Sequence, residues 1–304
     1  IGGTEVDIHG DYWYSLPGVT RIDGDTRFYT QHDPFDPHSL VSDIIRVIYS
    51  DPRGNYWFGS WNKGVCYMNP ASNQNIFANY YSIPGKPSLN GNVVNTITID
   101  RSGRIWASID GKGANVIDRE NNTYTYYTKN APAPYSLTSN VHTGLYHDHA
   151  DRMYLFSVRS GIDVIGPSGI QKSHVRIFKP HKPDELIYIR DIAAYKDSIL
   201  FIAGNDDCYY FDLQSGKSGS LSDLVSNQPF RDKINLKTVT TDNENTVYFA
   251  GPSFYVAKLE EKTLSVYNHQ TSENSGALFN TVYTVYKSKH GPDVWLGTQS
   301  GLYR

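Results

Sequence analysis

Seven aromatic residues recur along this chain at a nearly constant interval: Trp13, Trp57, Trp106, Tyr154, Phe201, Tyr248 and Trp295. The gaps between them are 44, 49, 48, 47, 47 and 47 residues. A period of this size marks one supersecondary unit copied along the chain, each copy burying itself against its neighbours. Four anchors share a glycine-led phrase: Gly10-Asp-Tyr-Trp13, Gly54-Asn-Tyr-Trp57, Gly103-Arg-Ile-Trp106 and Gly291-Pro-Asp-Val-Trp295. The other three copies keep the spacing and the aromatic but little else.

Each unit reads as four strands. An alternating β-branched run precedes the anchor, as in Ile44–Tyr49, Asn95–Asp100 and Thr281–Tyr286, which is the period-2 pattern of a strand. A polar turn (Asp51–Gly54, Asp100–Gly103) leads into the anchor strand. A third strand follows at 64–68, 114–118, 209–212 and 301–303. An aromatic-rich fourth closes the unit at 27–29, 79–81, 124–127, 175–178 and 264–267. Four-stranded units of this length arranged radially make a β-propeller. The expected fold is all-β, a seven-bladed propeller of antiparallel blades spanning 1–38, 39–87, 88–135, 136–184, 185–231, 232–276 and 277–304. The last blade is expected to lack its outer strand, and the chain to be a fragment of something longer, since Ile1-Gly2-Gly3 is neither an initiator Met nor a signal peptide.

Composition narrows the function. The 304 residues carry 28 Lys+Arg against 31 Asp+Glu, a net charge of −3 with no basic field, so no nucleic-acid partner is expected. No run approaches the ~18 apolar residues of a membrane span. The 24 tyrosines fall mainly on second and fourth strands, where a ring with one apolar face and a wet hydroxyl suits blade-to-blade packing.

Asp51-Pro-Arg-Gly54-Asn-Tyr-Trp57-Phe-Gly59-Ser60, followed by Gly64-Val65, resembles the two-component regulator propeller repeat. So do 291–302, and the preceding phrases Ser39-Leu-Val-Ser-Asp43, Ser88-Leu-Asn-Gly-Asn92 and Ser136-Leu-Thr-Ser-Asn140. The resemblance implies the periplasmic sensor part of a Bacteroidetes hybrid two-component system, an inner-membrane protein whose full-length chain carries a histidine kinase. It implies an oligosaccharide ligand, adjacent propeller and sandwich domains as partners, and a homodimer as one assembly. It implies no cofactor and no catalysis by this domain. A propeller polysaccharide lyase or hydrolase, and a scaffold that binds only neighbouring domains or protomers, are the alternatives.

Blade-joining loops and second-to-third-strand loops share one edge, where loop variation builds sites. Candidate ligand contacts there are Trp61, Asn62, Lys63, Asp110, Lys112, Arg159, Asn205, Asp206 and Gln299, with His38, Asn92, Asn140 and His142 from the joining loops. Trp61 leads, because a flat ring beside an amide and an ammonium suits stacking on a sugar. His147-Asp-His149-Ala-Asp151 has metal-ligand chemistry, but the repeat places it in the first hairpin turn, so no metal is expected. Cys66 and Cys208 fall on third strands of blades two and five, too far apart to bridge, and are expected to be buried free thiols.

Overall fold

A computed structural model describes residues 3–15, 17–72, 76–167, 169, 171–180, 182–226, 234–267, 281–288, 291–298 and 301–304. The architecture is a seven-bladed β-propeller in which six sheets have four strands and the last has three. Every sheet is antiparallel with its strands in chain order. The second sheet, for example, is Ile45–Ser50, Tyr56–Ser60, Val65–Met68 and Phe77–Tyr80; the third is Val94–Ile99, Ile105–Ile109, Gly113–Asp118 and Thr123–Tyr127. Two short 3₁₀ turns are the helical elements among the described residues.

The chain forms two compact units, one holding 1–147, 151–155 and 163–173, the other 148–150, 156–162 and 174–304. Within the first unit the opening strands of successive sheets contact one another from sheet one to sheet four; within the second they do so from sheet five to sheet seven. Second strands are buried along their whole length in blades two to four and six. The cause is alternation with both faces covered. Tyr56 and Phe58 turn to Trp13 and Val19 of the first blade, whereas Trp57 between them turns to Leu89, Val94 and Ile105 of the third. Trp106 repeats this, meeting Leu137, Leu145 and Met153 of the fourth. The core is therefore a series of aromatic-rich clusters between neighbouring blades.

Trp57 and Trp106 are 1% and 2% exposed, but Trp295 is only half-buried. Fourth-strand rings explain the difference. Tyr80 lies 6.1 Å from Trp57 and Tyr127 4.9 Å from Trp106, and the last sheet has no fourth strand among the described residues. The Arg304 guanidinium, 5.7 Å from the Trp295 ring, is its outer neighbour. A second correction concerns blade four. Its fourth strand is Gln171–Val175, and Phe178 belongs instead to an extra hairpin, Phe178–Lys179 with Lys182–Leu186. Cys66 and Cys208 are free and buried.

Candidate functional site

The phrase Ser-Leu-x-x-Asp/Asn builds the edge on which the candidates lie. Its leucines, Leu40, Leu89 and Leu137, are buried at 0%, 1% and 3% exposure. Its last residue fastens two chain segments at once. The carbonyls of Asp43, Asn92 and Asn140 accept from Gly18, Gly64 and Gly113, which open the third strands of the preceding blades, at 2.7, 3.0 and 2.9 Å. Their side-chain oxygens accept the backbone N–H of His32, Ser82 and Lys129, each at 2.7 Å. Gly64 and Gly113 have φ of +88° and +81°, and a Cβ on either would stand 2.1 Å from a fourth-strand carbonyl, so only glycine fits. Asn92 and Asn140 are thus stitches between blades, with their carboxamide oxygens committed.

Trp61 sits on a pinned loop. Its N–H donates to Ile44 O at 3.0 Å, and Ser60 Oγ both accepts from Lys63 N at 2.8 Å and donates to Gly64 O at 2.9 Å. Held there, the indole is 51% exposed, with Arg46 Cζ 4.5 Å from its ring centroid. Arg46 Nη1 donates to Asn95 Oδ1 at 2.6 Å; Asn95 Nδ2 in turn donates to His142 O at 2.9 Å and to Asp110 Oδ1 at 3.4 Å. A polar row therefore runs from Trp61 through Arg46 and Asn95 to Asp110. Neither Arg46 nor Asn95 was among the sequence candidates. Both lie on opening strands about one repeat apart, and that register is the signal that finds them.

Beside this row is a cavity of about 410 Å³ lined by His32, Val41, Lys63, Asn79, Tyr81 and Asn92, among others. His32 Nδ1 faces Leu40 O at 2.7 Å; a carbonyl only accepts, so this nitrogen carries the proton. Asn79 Nδ2 donates to Pro37 O at 3.0 Å, and its Oδ1 is buried without a partner. Asn62, Lys63 and Lys112 are exposed on the same edge, as is His38, whose N–H donates to Asp36 Oδ1.

His142 does not join them. It is 1% exposed, with Nε2 3.4 Å from Asp163 Oδ2, and Asp163 also accepts from the hydroxyl and N–H of Thr138. The ring of His142 is therefore enclosed by the fold beside Asp163.

In the second unit Arg159 is exposed, while Asn205 and Asp206 are engaged. Asn205 Oδ1 accepts from Arg190 Nε at 3.3 Å. Asp206 accepts from Tyr209 OH at 2.8 Å and pairs with Lys179 of the extra hairpin at 2.6 Å. Burial pushes the Asp206 carboxyl up, but the Lys179 and Tyr209 hydrogen bonds outweigh it and hold it below the usual carboxylate range. Gln299 lies outside the described residues. The His147–Asp151 cluster is a turn: His147 Nε2 meets Asp151 Oδ1 at 2.6 Å and Ala150 N–H donates to Asp148 Oδ1.

The sequence pattern of the two component regulator propeller matches residues 39–62. Those residues run from the Ser-Leu stitch through the anchor Trp57 to Trp61. Residues 39–62 thus carry one copy of the two-component regulator propeller repeat. No curated protein matches the chain. Among solved structures, this chain is similar to the extracellular domain assigned to a hybrid two component system of B. thetaiotaomicron, with 17% identity and a TM-score of 0.75. That match covers 99% of this chain and 39% of the other. A catalytically inactive virginiamycin B lyase from Staphylococcus aureus gives 13% identity, TM-score 0.69, over 99% of this chain and 92% of the lyase. PorZ, a surface component of the type-IX secretion system of Porphyromonas gingivalis, gives 15% and 0.69, over 98% and 45%. At these identities the likeness is one of fold. The chain spans 39% and 45% of the length of the first and third of these.

Proposed function

We propose that this chain is the ligand-binding propeller of an extracytoplasmic sensor in a hybrid two-component regulator, and that the joining edge of blades two and three takes an oligosaccharide. The observation that carries the reading is the half-exposed Trp61 on a hydrogen-bonded loop, flanked by Arg46 and the Lys63-lined cavity. An indole held in place offers a sugar a flat apolar face, and the Arg46–Asn95–Asp110 row offers hydrogen bonds at its rim. The regulator repeat and the likeness to an extracellular sensor domain support the role and a periplasmic location. Isothermal titration with an oligosaccharide panel tests it. Binding that Trp61→Ala weakens by about tenfold or more is expected, from the loss of a stacking partner. A panel without binders, using a chain that includes the neighbouring domains, overturns it.

The scaffold reading has one observation in its favour. Phe35 is 94% exposed, and Ile44 and Tyr81 on the same edge are 58% and 48% exposed, which suits contact with another domain.

A further inference from the structure

Another cavity lies at the opposite end of the blades, where the first-to-second and third-to-fourth turns emerge. It measures about 680 Å³ and is walled by the turns of blades two and three. Beneath it Trp57 and Tyr67, with rings 4.6 Å apart, are buried and carry the Arg119 guanidinium over them.

The Arg119 guanidinium stands 3.5 Å from the Tyr67 centroid, and its Nε donates to the Tyr80 hydroxyl at 2.9 Å. Stacking and hydrogen bonding hold this fork in one orientation before any ligand arrives. Arg53 reaches across from the turn of blade two, where a Cβ on Gly103 of blade three would stand 3.4 Å from its Nη2. The Arg53 guanidinium has no hydrogen-bond or ion-pair partner among the described residues. A third arginine, Arg104, is already paired with Asp100 at 2.8 Å.

Acidic residues also edge the cavity, yet two of the three spend their oxygens on hydrogen bonds to neighbouring turn residues. Asp51 accepts from the N–H groups of Arg53 and Asn55, from Asn55 Nδ2 and, at 3.5 Å, from Trp57 Nε1. Asp118 accepts twice from Asn121. Glu120 lies at the exposed rim.

We infer that this turn-edge cavity is a second binding site, taking a small ligand that carries an oxyanion, such as a uronic acid or a sulfated sugar. The two guanidinium groups meet the oxyanion, with Arg119 braced from behind by the buried Trp57 and Tyr67 rings. The site is independent of the joining-edge reading, since it shares no residue with it.

The test titrates the whole chain, by calorimetry at fixed ionic strength, with methyl glucuronide, glucose 6-sulfate and uncharged methyl glucoside. The expected result is that at least one charged sugar binds about tenfold more tightly than the glucoside, as charge-assisted hydrogen bonds require. Binding of the glucuronide alone identifies the carboxylate as the recognised group, and of the sulfate alone the ester. Arg53→Gln, a change at an exposed and unpaired side chain, is expected to weaken binding about fivefold or more with an unchanged melting temperature. Trp61→Ala is expected to leave it unchanged. No binding, glucoside binding as tight as the charged sugars, or full affinity in Arg53→Gln would overturn the site. Loss of the same binding in Trp61→Ala would move it to the joining edge.

Discussion

Asp100 shows how one carboxylate fixes a repeat. It sits six residues before Trp106 and accepts the indole N–H at 2.9 Å, while also accepting Arg104 N–H and Nε. Asp7 does the same for Trp13 at 2.9 Å and adds the Tyr56 hydroxyl of the next blade at 2.6 Å. Burial pushes Asp7 up, but those bonds and two backbone N–H groups outweigh it and leave the carboxyl below its ordinary range. Asp100→Ala is expected to cost about 2–4 kcal/mol in urea unfolding, because a buried indole N–H and a turn lose their acceptor; a loss within about 0.5 kcal/mol would show the clasp to be dispensable. Trp106→Ala should cost about 3–5 kcal/mol, and Trp295→Ala clearly less, since only the former is fully enclosed. Asp207 supplies a pH test. Burial raises its carboxyl to about 6, and Oδ1 is buried without a partner. The folded chain therefore holds this proton more tightly than the unfolded one, and the stabilising contribution, present below about pH 4, is lost as pH rises through 6. Relative to Asp207→Asn, wild-type stability should fall by about 2–3 kcal/mol between pH 4 and 7; a flat difference would contradict the assignment. The sequence showed Asp100 as a turn residue. Its bond to the anchor Trp106 was not legible, because it crosses a hairpin whose closing geometry spacing alone does not give.

At the scale of elements, the period of the anchors was enough to place the opening, anchor and third strands, since each is set by alternation and a glycine at a steric pinch. Blade four was misread because Phe178 mimics a fourth-strand aromatic. In the structure it pairs with Leu186 in the extra hairpin, which carries Lys179 to Asp206. The stitches between blades give a sharper test than strand limits do. Asn92→Ala removes the acceptor of Ser82 N–H and should cost about 1 kcal/mol. Gly64→Ala should cost more than Asn92→Ala, because the added carbon would sit 2.1 Å from Tyr80 O in a left-handed backbone. Thermal unfolding of both variants checks the order, and a reversed order would sink the stitch as described.

For the whole molecule, the fold was legible and the proposed site only partly so. Trp61, Lys63 and Asp110 lie where the loop register placed them, but the same register also pointed at His142 and Asn140, which the packing has taken for itself. Sequence cannot say which polar group of a loop end faces inward when both segments it fastens are polar. Arg46 and Asn95 were missed for the converse reason: they sit within strands, and only the pairing of positions 49 and 47 residues apart reveals the row. Purified chain incubated with a glycan panel is expected to yield no new reducing ends or unsaturated uronates, whereas turnover would restore the lyase reading.

The stitch has a consequence for how such a molecule can change. His32 and Asp43, Ser82 and Asn92, and Lys129 and Asn140, which stand 11, 10 and 11 positions apart, close their segments with the same bond. Each segment is thus a cassette whose ends are clamped to the frame, so its interior can be rewritten without reopening the blade. Extending a clamped loop adds only slowly to its closure entropy, roughly 0.6 kcal/mol for a doubling in length. A library that varies residues between the clamps while keeping the Leu and the Asp/Asn would explore new specificities on an intact frame.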